Sequence, residues 1–312
     1  PKSNYLDDAF FELGNVYILT GNFNFAINSF MHIIDNFSNS LFFAPCKLKL
    51  GLVYYMKQED EKAISVLQSV LDLFPSSNFF EEALNILKNI YNETGQANKF
   101  LELIQNVDHD FSNSELDSST YYSAELQYMK SKYEVAITSL NSYLSYYPEG
   151  LFSLEANYFL YKSHEHLGEL EKALSFLNKI VGEQENKYTV EGVGALARIS
   201  FSLEKFISSE KYYSKLINLV NTVDLKQKAI LGLFESKFKL YKFNEIVNEY
   251  PKLISDGFFS GQDNLRVHYI YAYSLYQTGK NTNALKEFEW LTYNSEGNLK
   301  AEAFFYQALI LY

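Results

Sequence analysis

A single period runs through the chain. Taking Ala26 as the origin, equivalent positions fall at Ala63, Phe100, Ala136, Ala173, Ser209, Ile246 and Ala284, spaced 37, 37, 36, 37, 36, 37 and 38 residues apart. Thirteen residues before them lie Leu13, Leu50, Leu87, Ser123, Leu160, Leu196, Leu233 and Tyr271. Four residues after them lie Phe30, Leu67, Ile104, Leu140, Leu177, Tyr213, Tyr250 and Phe288. Three columns in register over eight units predict a repeat array, in which each unit buries its apolar face only against its neighbours.

The spacing inside a unit is helical. The stretch LGNVYILTGNFNFAINSF, residues 13–30, contains a polar and aromatic alternation that resembles a hairpin when read alone. Aligned with LGLVYYMKQEDEKAISVL, residues 50–67, it becomes two antiparallel helices with NFNF opening the second. Small residues at Gly14, Gly51, Ala124, Ala197 and Ala272 allow close approach of the two helices, and the later Ala column does the same from the other side. Large residues such as Phe30 and Phe288 are expected to fill the gap toward the next pair. Gly21, Gly95, Gly168 and Gly279 fall at the intervening turn, where a left-handed residue ends a helix cheaply. Pro75 and Pro148 are placed to stop second helices. Three units depart from the pattern. Lys88 and Phe100 replace small residues in the third, which runs into a corner at NVDHDFSNSELD, and Ser209 and Ile246 replace the Ala of the sixth and seventh, where looser packing and a changed twist are expected.

The pattern LGxxY followed by AxxxF and then Pro resembles the tetratricopeptide repeat (TPR), seen in LGNVY with AINSF, LGLVY with AISVL, and LEKAL. The longer form, with NFSNS or LFPSSNFFEEA between units, is similar to envelope TPR proteins of Gram-negative bacteria. Among these are the lipoprotein of the outer-membrane β-barrel assembly machinery and the periplasmic partner of the Tol-Pal system. SNYLDDAFFELGNVY and SELDSSTYYSAELQY resemble long TPR proteins of Bacteroidota. The resemblance covers essentially the whole chain. It implies an all-α, right-handed TPR superhelix, an α-solenoid of about eight helix-turn-helix units plus one extra terminal helix. The units fall at about 4–40, 41–76, 77–113, 114–149, 150–187, 188–223, 224–261 and 262–295 of a single continuous array, with a partial unit at 296–312. PKSNY reads as the tail of a preceding unit, and KAEAFFYQALILY as a first helix whose Phe304, Phe305, Leu309 and Leu311 lack a cover. The expectation is a segment of a longer array, or one capped by a partner.

Composition narrows the function. A net charge of -11 argues against nucleic acid, whose phosphates require clustered Lys and Arg. Residues 1–120 hold 16 acidic against 7 basic residues, net -9, leaving 22 against 20 for the rest, so a basic partner is steered to the N-terminal third. No apolar run is long enough to span a bilayer. The lone Cys46 excludes an internal disulfide and a cysteine-cluster zinc site, and reads as a buried small hydrophobe. His164 and His166, two residues apart on a helix, point about 200° apart and cannot share a metal. Asp108, His109 and Asp110 read as a solvated loop. Gly192 and Gly194 lack the context of a dinucleotide site, and no Walker motif or nucleophile elbow occurs, so neither a catalytic residue nor a cofactor or metal is expected.

What remains is a surface. In TPR arrays the first helix of each pair lines the concave face. Carried over position by position, the resemblance assigns to it Phe11, Asn15, Tyr55, Asn85, Asn89, Tyr121, Tyr128, Tyr158, Lys162, Arg198, Phe238, Tyr269, Tyr273 and Tyr276. Tyr and Arg bury much area at modest entropic cost, as hot-spot residues do. The basic clamp by which some TPR domains hold a chaperone's C-terminal carboxylate would require Phe11 and Asn15, Lys49, and Glu82 with Ile86 to be Lys and Asn, Asn, and Lys and Arg; only Asn15 fits. The expected function is a non-catalytic scaffold holding a protein, peptide or partner helix in its groove. The resemblance places it in the periplasm or on the periplasmic face of the outer membrane, associated with an envelope complex. The alternatives are a scaffold binding through its repeat ends or convex face, and a cytoplasmic location.

Overall fold

A computed structural model describes residues 5–75, 77–105, 112–182, 184–254 and 258–312, and among these there are seventeen α-helices and no strand. Eight antiparallel pairs follow one another: α1 (Leu6–Leu19) with α2 (Phe23–Asn36), α3 (Phe43–Met56) with α4 (Asp60–Leu73), α5 (Asn78–Glu93) with α6 (Ala97–Ile104), and α7 (Asn113–Met129) with α8 (Tyr133–Tyr146). Then come α9 (Ser153–His166) with α10 (Leu170–Ile180), α11 (Thr189–Ser202) with α12 (Phe206–Leu219), α13 (Val223–Lys239) with α14 (Phe243–Leu253), and α15 (Gly261–Gln277) with α16 (Asn281–Asn294). A last helix, α17 (Gly297–Leu311), packs on α16. The chain forms two compact bodies, residues 1–156 and 157–312, divided within α9. Among the described residues no helix is long and apolar enough to cross a membrane.

The turn between the helices of a pair is built the same way eight times. The residue five positions before the Ala column has positive φ in every unit: Gly21, Gly95, Gly168 and Gly279, and also Gln58, Ser131, Glu204 and Tyr241. In each case the next backbone N–H returns to a carbonyl of the preceding helix, from Asn22 to Tyr17 at 2.8 Å through Lys280 to Leu275 at 2.9 Å. This is the six-to-one closure of a Schellman motif, which satisfies carbonyls that the helix end leaves without partners. The NFNF segment is therefore the first turn of α2 and not a strand. Second helices α4 and α8 end just before Pro75 and Pro148.

Each pair packs small against large. A Cβ built on Gly14 would lie 2.4 Å from the Phe30 ring, and one on Gly51 would lie 2.6 Å from Leu67. The large residue thus sits over the small one of its own pair in the first two units. It also packs toward the next pair as expected: Phe30 shares a core with Cys46, Leu50 and Val53 of α3, Leu67 with Phe80 and Leu84 of α5, Tyr213 lies over Gly232, and Phe288 is stacked on Tyr306 at 5.2 Å. Phe30, Leu67 and Phe288 are fully buried, and each such burial contributes roughly 1.5–3 kcal/mol.

The departures have specific repairs. Side chains of the next pair take the last carbonyls of α5 and its turn. Ser123 Oγ donates to Asn92 at 2.7 Å, Gln127 Nε2 to Glu93 at 3.1 Å, and Ser139 Oγ to Gly95 at 2.7 Å. Lys88, mostly buried, reaches across to Glu115 of α7 at 2.6 Å. Ser209 does not loosen its pair: fully buried, it donates to the Ala197 carbonyl at 3.0 Å and lies 2.9 Å from Ser236 Oγ. Ile246 is fully buried among Phe234, Tyr250 and Val267, yet its pair, α13 with α14, packs less extensively than α11 with α12, as expected for the seventh unit.

Candidate functional site

In residues 1–156, the first helices offer few open side chains. Phe11 stacks on Phe42 at 4.7 Å with Lys49 Nζ 5.9 Å from its ring. Asn15 donates to Glu12 at 3.4 Å, while its Oδ1 is buried without a partner. Tyr55 is half-buried; burial, then a hydrogen bond to the Glu93 carboxylate, pushes its phenol up to about 12. Asn85 and Asn89 are exposed. Tyr121 is not on a surface: 2% exposed, it is stacked 4.5 Å from Phe152, lies edge-on to Tyr143 at 5.7 Å, and donates to Glu125 at 3.0 Å. Phe152 enters from the next unit and covers the ring. Tyr128 packs at 5.6 Å on Tyr133 of its own pair.

In residues 157–312 the first-helix face is more open, and a ladder of ion pairs organises it. Tyr158, stacked on Tyr188 at 4.1 Å, donates to both Glu191 oxygens at 3.0 and 3.1 Å, and Lys162 reaches the same carboxylate at 3.2 Å. Arg198 of α11 donates through Nη2 to Glu165 of α9, and Arg266 of α15 does the same to Glu235 of α13. Glu and Arg therefore alternate along four successive first helices. Burial pushes the Glu235 carboxyl up, and the Arg266 guanidinium opposes that. Phe238 meets Phe243 at 5.8 Å and Tyr273 at 5.2 Å. Tyr273 and Tyr276 pack on Tyr306 at 5.3 and 5.4 Å. The Tyr269 phenol is raised by burial and then by the Glu302 carboxylate.

Two cavities open between the rungs. One of 340 Å³ is lined by Phe201, Phe238, Tyr269, Ile270 and Leu299, with Glu235, Lys239 and Arg266 at its polar side. The other, of 510 Å³, is lined mainly by α9 and α11 and carries Lys162, Lys187 and Arg198 against Glu165 and Glu191. Of the residues assigned from sequence, the first cavity brings together Phe238 and Tyr269, and the second Lys162 and Arg198. Phe201, Glu235, Lys239, Arg266 and Leu299 were missed. Phe201 and Glu235 each stand in a column with an assigned residue, eight residues before the Ala column with Tyr55 and Tyr128, and eleven before it with Asn15 and Arg198. That shared register is the signal that could have found them.

The other candidates resolve into packing. His164 is buried, with Nδ1 2.6 Å from Glu169 and its ring stacked 5.3 Å from Phe176. Cys46 is fully buried, and burial pushes its thiol up to about 12. Gly192 sits where a Cβ would come within 2.7 Å of Val181. Asp108, His109 and Asp110 lie outside the described residues. Among the described residues no three His, Cys, Asp or Glu side chains converge as metal ligands would.

Residues 46–77 match a family model described as tetratricopeptide repeat. No curated protein matches the chain in sequence. The solved structures similar to it include a tetratricopeptide repeat protein from Parabacteroides merdae, at 13% identity over 99% of this chain and 100% of that one, with a TM-score of 0.32. The P58(IPK) TPR domain is 14% identical over 98% of each chain at a TM-score of 0.34, and yeast Tom70 is 14% identical over 100% of this chain and 65% of its own at 0.38. The chain therefore carries a tetratricopeptide repeat at residues 46–77, within a series of helix pairs built on the same period.

Proposed function

We propose that the chain is a non-catalytic protein-interaction scaffold, which holds an extended peptide or a partner's helix on the first-helix face of residues 157–312. The observation that carries this reading is the cavity lined by Phe201, Phe238, Tyr269, Ile270 and Leu299, whose volume of 340 Å³ suits one bulky side chain. The Arg266–Glu235 ion pair pins its rim, so the surface is organised before a partner arrives and less ordering entropy is lost on binding. The matched repeat type agrees with a scaffold role. The envelope placement rests on the sequence resemblance, and we extend it to a periplasmic partner.

A second reading has one observation behind it: Phe304, Phe305, Leu309 and Leu311 of α17 are 54%, 58%, 45% and 73% exposed. A partner seated there would leave the groove empty. The two readings separate by substitution. Phe238→Ala with Tyr269→Ala is expected to lower partner retention on the immobilised chain at least tenfold, with Phe305→Asp changing it little. The opposite ranking would favour the α17 face.

A further inference from the structure

We draw no further inference here: the strongest candidate, the exposed apolar face of α7 formed by Tyr122, Leu126 and Met129, carries nothing because nothing in the structure shows what covers it.

Discussion

Gly168 has φ +74° and nothing within 4 Å of the place a Cβ would occupy, so its backbone conformation alone explains the glycine. Gly168→Ala is expected to lower stability by about 1 kcal/mol, measured by denaturant unfolding. The same turn is occupied by Tyr241 at φ 57°, with its side chain 80% exposed. Tyr241→Gly relieves the strain while adding backbone entropy to the unfolded chain, for an expected net gain of about 0.5–1 kcal/mol. Four of these turns were legible in the sequence because they hold glycine. Gln58, Ser131, Glu204 and Tyr241 hold residue types that announce no turn, and only the register identifies them.

Packing at the scale of elements depends on pairs of positions. Gly14→Ala drives a methyl into the Phe30 ring and is expected to cost about 1–3 kcal/mol, with Phe30→Leu in the same chain recovering part of it; a double-mutant cycle measures the coupling. The corner before α9 depends on hydrogen bonds instead. Asp117 accepts from Tyr143 Oη at 2.6 Å and from Leu151 N at 2.9 Å, and Tyr143 Oη accepts from Phe152 N at 3.0 Å. Tyr143→Phe strands that N–H and one carboxylate oxygen, for an expected loss of roughly 1–3 kcal/mol in thermal or denaturant unfolding. Between α13 and α14, the buried Lys237 holds the Glu245 carboxyl below the ordinary glutamate value of 4.5. Its folded value lies below its unfolded one, so this contribution is complete above pH 4.5 and is lost as the pH falls through the folded value. Hydrogen exchange in α14 is expected to accelerate in that window, and Glu245→Gln to flatten the dependence. Glu235 runs the other way, since burial raises it and acid relieves its charged form.

The period made the helix pairs and their buried columns legible, but it describes one unit at a time. What it could not give was which side chain of the next first helix arrives beside a given residue. Arg198 meets Glu165 from 33 positions away, and Phe152 covers Tyr121 from 31. The ladder, the two cavities and the burial of Tyr121 all depend on such meetings. The burial of Ser209 was hidden for a related reason, because its partners are a carbonyl and a serine of adjacent helices.

On the scale of the whole molecule, an array in which units touch only their neighbours spreads a disturbance over short range. Gly14→Ala is therefore expected to raise hydrogen exchange in α1 to α4 and leave α13 to α16 unchanged. The same locality lets the first-helix face of residues 157–312 work as a surface of its own. The central claim is that a partner occupies this face, and site-specific photo-crosslinking in the native host tests it most directly. With a photoreactive residue at Phe238 the account predicts covalent adducts with a protein partner, and few from the same probe at Phe305. Adducts from Phe305 with none from Phe238 would contradict it.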